Sequence, residues 1–389
     1  MESKAAMKNF AILFNPKKLK SMKKQTSAAT ETLIKGRKII DFSGKTLYVG
    51  IDVHQKDYQV AIVHETRCLG NHRMPARGET LITHLNKHYP GADFRCVYEA
   101  CSWGFVLQRK LSAEGIDCIV VNPGDVATSD KERKRKTDPV DALKLAREHE
   151  AHHLQAIHVP DESTQKQRNL IRFRKTLVGD LGRVKNRIKS LLKFQGIDIP
   201  EKFCKSTWCR NFMEWAQQEG NRDELLGDVL LPQLEQLKFM RVQLLQAQRK
   251  LRKMMRTEKF MHSAQLAQSV VGIGPITTSL FLLEVGDVRR FKGFDPLNNF
   301  IGFCPDTHSS GEDERNTGIT RRRHKQLRTA FIEAAWTAVR TDPAMTDAYS
   351  KLVKRMEGNK AIIRIARKLL RRLRAVLLSG VPYQKGVVI

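Results

Sequence analysis

The chain has 389 residues, of which 69 are lysine or arginine and 41 are aspartate or glutamate, so its formal net charge is +28. A positive surplus this large is typical of proteins that bind polyanions, and it favours nucleic acid as the partner. A membrane surface is the weaker alternative, because no apolar run reaches about 18 residues and the basic residues are spread along the whole chain. The length is enough for two or three domains with sizeable cores.

The seven cysteines contain no CxxC pair, which argues against a zinc ribbon and against a disulfide framework. The chain begins with polar residues and lacks the long apolar stretch and cleavage site of a secreted precursor. Both observations favour a reducing interior, so we expect a cytoplasmic protein.

The first part of the chain predicts a basic extension followed by an α/β domain. Residues 1–45 are rich in lysine and show little periodicity. The pattern then becomes three antiparallel strands, a helix, a strand, a helix, a strand and a helix, in the segments TLYVGIDV, YQVAIVH, RCLGNHRM, ETLITHLNKHY, FRCVYEA, GFVLQRKLSAEG, DCIVVN and the stretch from Asp138. By fold-level analogy, this order predicts an RNase H-like (RuvC-like) domain over residues 46–160.

Residues 161–262 are expected to form an α-helical coiled-coil domain. Two segments carry apolar residues at steps of three or four, as helices packing along one stripe do. The first stripe contains Leu170, Phe173, Leu177, Leu181, Val184, Ile188 and Leu191, and the second contains Leu234, Leu237, Met240, Leu244, Ala247, Leu251 and Met254. These stripes predict that the two helices pack as an antiparallel hairpin with a helical tip. The alternative is a plain helical spacer with solvated charges.

Residues 263–389 predict a mostly α C-terminal domain. The turn VVGIGP, with Gly272 and Gly274, is typical of a helix-hairpin-helix element, in which backbone amides approach a DNA phosphate. A tight connection between two helices explains the same residues equally well. The last helical segment, NKAIIRIARKLLRRLRAVLLSG, is either a core helix with a basic outer face or a nucleic-acid docking surface.

Four carboxylates indicate a metal site in the α/β domain. Asp52 lies on the first strand and Glu99 at the end of the fourth, which is its neighbour in an RNase H-like sheet. Asp138 and Asp141 are three residues apart at a helix start and share a face. Converging carboxylates need a cation, and two Mg²⁺ ions suit a phosphodiester displacement. The alternative for the second pair is helix capping, with Asp138 as N-cap and Pro139 in the first turn.

The same region contains three further motifs. The motif HEAHH at 149–153 matches the zinc-binding pattern HExxH, but only His158 offers a third ligand, so a metalloprotease is disfavoured. The four residues after Asp52, from Val53 to Lys56, lack the small side chains that a sugar-kinase phosphate loop needs. A basic run directly precedes Asp138 and is predicted to contact nucleic acid through Lys131, Arg133, Lys134, Arg135 and Lys136.

A polar loop follows in the C-terminal region. It places Ser309 and Ser310 before Gly311, and then the arginines 321–323. A serine among arginines could attack phosphorus, with the developing charge met by guanidinium groups. The same residues are also typical of an ordinary surface loop without a catalytic role.

Taken in order, these segments resemble the DEDD transposases of insertion sequences, the family that also includes the Piv-type DNA invertases and the bridge-RNA-guided recombinases. The resemblance covers roughly residues 46 to 350. It depends on YVGIDVHQKDYQVAIV, YEACSWGFVLQRKLSAEGIDCIVVNP, KTDPVDALKLA, the basic helical hairpin, VVGIGPITTSLFLLEVGDVRRF and HSSGEDERNTGITRRRHKQLRTAFIEAAW.

The resemblance implies a site-specific DNA transposase or recombinase of a bacterial insertion sequence. It implies that Asp52, Glu99, Asp138 and Asp141 bind Mg²⁺ and that a serine, Ser310 or else Ser309, becomes joined to DNA, with Arg321, Arg322 and Arg323 steadying the phosphate. It also implies DNA at the element ends and target, a structured guide RNA, and a homodimer or homotetramer whose composite site combines two subunits. A RuvC-like junction endonuclease and an inactive nucleic-acid-binding protein are the alternatives.

Overall fold

The computed structural model describes residues 41–127, 137–204, 208–310 and 313–386, without the side chains of residues 204 and 306–317. The chain divides into two compact units, Met1–Val159 and Pro160–Ile389. The basic extension to residue 40 and the basic run at 131–136 lie outside the described residues. No helix in the described ranges is long and apolar enough to cross a bilayer.

The first unit contains a five-stranded mixed sheet. Its strands are β1 (Thr46–Val53), β2 (Asp57–His64), β3 (Arg67–Pro75), β4 (Asp93–Glu99) and β5 (Asp117–Val121), in the spatial order β3-β2-β1-β4-β5. The first three strands are antiparallel, which confirms the predicted meander. The strands β4 and β5 run parallel to β1. The carboxyl ends of β1 and β4 therefore meet at one edge of the sheet.

Helices cover both faces of this sheet. They are α1 (Gly78–His88), α2 (Val106–Ala113) and α3 (Asp138–Glu150). On one face, Leu81 of α1 and Leu111 of α2 join a core with Ile51 of β1. On the other face, Leu145 of α3 packs with Val97 of β4. Burial on both sides explains the consecutive buried residues in the middle of β1, Val49 to Ile51, and of β4, Cys96 to Tyr98.

The second unit is mostly helical. Its helices are α4 (Glu162–Phe194), α5 (Glu201–Cys204), α6 (Arg210–Arg222), α7 (Glu224–Met255), α8 (Glu258–Ser269), α9 (Pro275–Val285), α10 (Phe294–Ile301), α11 (Lys325–Thr341), α12 (Pro343–Val353) and α13 (Gly358–Ser379), and between α10 and α11 a two-stranded sheet consists of β6 (Pro305–Ser310) and β7 (Asp313–Ile319).

The long helices α4 and α7 pack side by side. Arg187 hydrogen-bonds to Gln236, whereas Leu170 and Met254 line one groove farther along, so the two helices are antiparallel as predicted. The predicted stripe of α4 is wrong at its start, because Phe173 is 46% exposed and Ile171 is buried in its place. The reason is an additional partner: the start of α4 packs into a core that contains the end of α7 together with the C-terminal helices, so a different face of α4 is buried there.

The C-terminal core surrounds α9, which is buried along its length from Thr278 to Val285. The helix α13 buries its apolar stripe, including Ile365, Leu369 and Leu373, in the same core. The structure therefore supports the core-helix interpretation of this segment. Its arginines remain available on the other side, as Arg364 and Arg371 illustrate.

Candidate active site

Asp52 and His54 lie at the carboxyl end of β1. Asp52 is paired with Gln59 of β2, and its carboxylate Oδ2 is 3.1 Å from Nε2 of His54. Burial raises the pKa of Asp52 above its usual value; His54 opposes this shift, and the negative charges of Asp138 and Asp141 add to it. The carboxylate therefore occupies a place where a further positive charge would stabilise its ionised form.

Asp138 completes a cluster with these two residues. Its Oδ2 lies 3.5 Å from His54 Nε2, and one possible ligand atom from each of Asp52, His54 and Asp138 lies within 4.8 Å of the other two. Among the described residues, this is the one group of three or more acidic, histidine or cysteine side chains with such geometry. Two carboxylate oxygens and an imidazole nitrogen suit a divalent cation.

His54 is a candidate ligand that sequence reasoning missed. The signal was present in GIDVH, because side chains two apart on a strand project from the same face. His54 follows the last residue of β1, and its backbone N–H donates to the carbonyl of Asp57 at 3.1 Å, which holds it in the hairpin turn. The turn thereby directs the imidazole back toward Asp52.

The helix α3 begins differently from the capping prediction. Thr137, and not Asp138, is the N-cap residue, and no side-chain hydrogen bond caps the helix. The backbone carbonyl of Thr137 instead accepts from the N–H groups of Val140 and Asp141, both at 3.0 Å. The N-cap role predicted for Asp138 is therefore wrong, and its carboxylate faces His54 instead of the helix backbone.

Close packing brings α3 to the end of β1. A Cβ atom on Gly50 would lie 2.5 Å from the backbone nitrogen of Ala146 and closer still to the carbonyl oxygen of Ala142. Only glycine allows this approach of helix to strand. The first turn of α3 is also tied to the sheet, because Asn71 Nδ2 donates to the carbonyl of Pro139 at 2.9 Å. Gln59 Nε2 in turn donates to Asn71 Oδ1 at 2.6 Å.

The other two predicted carboxylates lie nearby in the fold. The parallel register pairs Ile51 with Tyr98, so Glu99 ends β4 beside the strand end that carries Asp52. Asp141 lies one turn along α3 from Asp138, and its charge acts on Asp52. Neither belongs to the three-residue cluster.

The HExxH motif does not form a metal site in this structure. His149 is buried, and its ring contacts Tyr48 edge-on with centroids 5.4 Å apart. His153 lies beyond the end of α3, where its Nδ1 is 3.0 Å from a carboxylate oxygen of Glu148. The two histidines therefore have separate environments.

The segment predicted as a polar loop in the second unit is instead a β-hairpin. The register pairs Ser309 with Glu314 and Ser310 with Asp313, which places Ser310 at the end of β6, in the last pair of the two strands. The side chains of both serines, of Arg315 and the residue Gly311 lie outside the described parts. The prediction of a polar loop did not include this pairing of β6 with β7.

The base of this hairpin is held by hydrogen bonds from the Arg328 side chain to backbone carbonyls. Arg328 Nη1 donates to the carbonyls of Gly302 and Thr320, at 2.7 and 2.8 Å. Gly302 has φ +89°, and a Cβ there would lie 2.5 Å from Cβ of Arg323, so the two chain segments flanking the hairpin touch closely. The side chains of Arg321, Arg322 and Arg323 are exposed beside it.

A buried carboxylate lies in the core near the same segment. Arg172 Nε and Nη2 donate to the two carboxylate oxygens of Glu284 at 2.8 and 2.9 Å, and His324 Nε2 lies 3.6 Å from Glu284. His324 Nδ1 accepts from the N–H of Leu327, so Nε2 carries the proton that faces the carboxylate. Burial opposes ionisation of Glu284, but hydrogen bonds from His324 and Arg172 lower its pKa to about 2.

The two glycines of the VVGIGP turn differ in their surroundings. Gly272 has φ +89°, and a Cβ there would lie 3.1 Å from the carbonyl carbon of Ala334 in α11. Gly274 is the N-cap of α9 and would meet nothing within 4 Å. The close backbone approach at Gly272 is thus made to another helix of this chain, whereas Gly274 remains accessible.

Two family models match this chain. A DEDD-type transposase model of IS110 elements matches residues 49–196, and a model described as "Transposase IS116/IS110/IS902 family" matches residues 264–350. The first model therefore includes the segments that carry Asp52 and Asp138, and the second includes the β6–β7 hairpin.

Curated relatives agree with both models. The chain is 27% identical over 352 residues to y4qE of Sinorhizobium fredii, which is named as a transposase, with 87% of this chain and 83% of the relative aligned. It is 24% identical to the transposase for insertion sequence element IS1533 of Leptospira borgpetersenii, over 75% of this chain and 85% of the relative. It is 26% identical to the transposase for insertion sequence element IS1111A of Coxiella burnetii, over 75% and 79%. The protein belongs to the IS116/IS110/IS902 family of insertion-sequence transposases, enzymes that bind, cleave and rejoin DNA.

Proposed function

We propose that the first unit is an RNase H-like (RuvC-like) domain that cuts DNA strands with Mg²⁺. The observation that carries this proposal is the Asp52, His54 and Asp138 cluster at the sheet edge. The strand order β3-β2-β1-β4-β5, with β4 and β5 parallel to β1, supports the domain type. DEDD transposases generally use a divalent metal, and the donor set at this edge suits one.

In this proposal, Asp52, Glu99, Asp138 and Asp141 hold two Mg²⁺ ions, with His54 beside them. The metal supplies positive charge to the phosphate oxygens of the strand being cut. The chain's own residues fix the geometry. Gly50 lets α3 approach β1, and the hydrogen bonds from Gln59 to Asn71 and from Asn71 to Pro139 hold the first turn of α3 in place.

The nucleophile in this proposal is Ser310, with Ser309 as the alternative. Its hydroxyl oxygen attacks phosphorus and displaces a deoxyribose oxygen, which takes up the proton that the serine loses, so one phosphoester bond forms as another breaks. In rejoining, a deoxyribose hydroxyl attacks the phosphoserine and the serine regains its proton. The position of Ser310 at the end of β6, in the last pair of the two strands, supports this role. The exposed arginines 321–323, next to the hairpin base, are suited to contact the phosphate.

The proposal also includes partners. A structured guide RNA that pairs with element and target DNA would use the net charge of +28. A dimer or tetramer would combine the carboxylates of one subunit with the serine of another. Exposed apolar residues on α7, among them Leu225 at 80% and Phe239 at 65%, support an interface between copies.

One experiment tests the chemistry. The protein is incubated with DNA of the element ends, the flanking RNA and Mg²⁺, and protein joined to DNA is then sought after denaturation. We expect an adduct that Ser310→Ala abolishes and that Asp52→Asn also abolishes. Strand cutting that survives Ser310→Ala, and also Ser309→Ala, would instead indicate a RuvC-like endonuclease without covalent chemistry. Absence of cutting with every divalent metal would indicate a nucleic-acid-binding protein.

A further inference from the structure

A cavity of about 300 Å³ opens beside the metal cluster. It lies at the carboxyl ends of β1 and β4, between the first turns of α1 and α2, and His54 lines both this cavity and the cluster. Its volume is at the lower end of the range for small-ligand sites. Ligands of α/β proteins commonly bind at this end of parallel strands.

The walls of the cavity are aromatic. Tyr58 and Tyr98 are buried beneath it, whereas the indole of Trp103 at its mouth is 46% exposed. The loop that carries Trp103 is fixed, because Tyr98 Oη donates to the carbonyl of Gly104 at 3.1 Å and Gly104 N–H donates to the carbonyl of Cys101 at 3.1 Å. An exposed indole on a fixed loop is a surface on which a planar ring can stack.

The charges at the cavity have a positive balance. Lys110 pairs with Glu79, and Arg77 lies close enough to lower the pKa of Glu79 further. The cavity is therefore lined by two cationic side chains, Lys110 and Arg77, and by one carboxylate, Glu79, in addition to His54. A cavity with aromatic walls and cationic side chains at its edge is suited to a nucleotide, which has a planar base and an anionic backbone.

We infer that this cavity holds one unpaired DNA base, extruded next to the phosphate that occupies the metal cluster. A base within a duplex cannot enter this cavity, because the neighbouring bases cover both faces of its ring. The base in the cavity must therefore be unstacked and unpaired. Stacking on Trp103 would fix the strand relative to Asp52 and Asp138. This inference rests on the proposed function in one respect, namely that a DNA phosphate binds at the neighbouring metal cluster. The assignment of the cavity to a base does not depend on how the strand is cut.

Binding to strands with and without bases tests the inference. The full chain is titrated, in EDTA so that no cutting occurs, with a fluorescent mixed-sequence DNA strand and with an abasic strand of the same length. We expect the wild type to prefer the base-bearing strand, and Trp103→Ala to reduce that preference by about tenfold, as the loss of one stacked base would. Trp103→Phe should retain most of the preference, and Val106→Glu, at the cavity mouth, should lower it.

The controls separate this inference from the proposed function. Phe194→Ala removes an aromatic side chain that is 86% exposed at the end of α4 and should leave the preference unchanged. Asp52→Asn should lose cutting but keep the preference. If Trp103→Ala retains the wild-type preference, the cavity is not a base site, whatever the cutting assay shows. If Trp103→Ala affects a matched RNA strand more than DNA, the assignment to DNA is wrong.

Discussion

Nε2 of His54 lies 3.5 Å from Oδ2 of Asp138, although His54 directly follows β1 and Asp138 begins a helix far later in the chain. The imidazole is also 3.1 Å from the carboxylate of Asp52, so it lies between two carboxylates that would otherwise repel each other. The cluster therefore depends on His54 as well as on the aspartates.

Replacing His54 tests its role as a ligand. Imidazole nitrogen suits Mn²⁺ better than Mg²⁺, which prefers oxygen. We expect His54→Ala to weaken Mn²⁺ binding by roughly tenfold and Mg²⁺ binding by less. Isothermal titration of both metals measures the difference, with His64→Ala as the control because His64 lies at the far end of β2. Equal losses for both metals would argue against direct ligation by the imidazole.

Replacing Asp52 tests how much its ionised carboxylate destabilises the folded, metal-free protein. Because folding raises the pKa of Asp52, the folded chain holds this proton more tightly than the unfolded chain does. The stability that this supplies is present at low pH and is lost as the pH rises through the folded pKa. Asp52→Asn should therefore raise the free energy of unfolding of the metal-free protein at pH 7 by roughly 0.5–1 kcal/mol, with no gain near pH 3.

Urea denaturation in EDTA at the two pH values measures this gain. Asp57→Asn is the matched control, because Asp57 forms an exposed ion pair with Arg73 whose loss costs no more than about 1 kcal/mol. An Asp52→Asn variant less stable than the wild type at pH 7 would contradict the assignment. Added divalent metal should stabilise the wild type more than the variant.

Gly50→Ala tests the close packing of α3. The new Cβ would overlap the backbone at Ala142 and Ala146, so α3 must move away from β1. We expect a loss of about 1–3 kcal/mol in the free energy of unfolding, together with weaker metal binding because Asp138 moves with its helix. Gly179→Ala is the control: it meets nothing within 4 Å inside α4 and should stabilise that helix by up to about 1 kcal/mol. Unchanged metal affinity in Gly50→Ala would show that α3 does not set the site.

The sequence predicted the sheet and two of the three cluster residues, Asp52 and Asp138, for a physical reason. Alternating and continuous apolar runs, separated by short polar turns, define strands and helices locally, and parallel neighbours then carry Asp52 and Glu99 to one edge. The start of α3 was less predictable, because a threonine and an aspartate in succession are both good N-cap residues and only packing selects between them.

Other features depend on partners that periodicity does not reveal. Phe173 matched the stripe of α4, but at this point the C-terminal helices join α7 in the core against α4, so Ile171 is buried instead. The role of Gly50 depends on how closely a helix 90 or so residues later approaches, which is a tertiary property. Glu284 did leave a signal: it is the one charged residue in the apolar run of α9, and a buried charge in such a helix requires partners.

Arg172→Leu tests the buried carboxylate of Glu284. Removing a partner from a buried ion pair leaves a charge uncompensated, which costs several kcal/mol. Because Arg172 is half exposed and His324 remains beside Glu284, we expect a loss of about 2 kcal/mol. Chemical denaturation measures it, and Arg210→Leu, which breaks an exposed pair with Glu214, should cost about 0.5 kcal/mol or less. Equal costs in the two variants would mean that the Glu284 network contributes no special stability.

The pH dependence of stability gives a separate test of the same network. The pKa of Glu284 is lowered to about 2 in the folded chain. Its contribution is therefore complete above the ordinary glutamate pKa of about 4.3 and is lost as the pH falls toward 2, on the order of 3 kcal/mol in all. Glu284→Gln cannot ionise, so its free energy of unfolding should fall less steeply over this interval. Urea titrations from pH 5 to pH 2 compare the slopes, and parallel slopes for wild type and variant would show that Glu284 is not the group whose protonation weakens the C-terminal core.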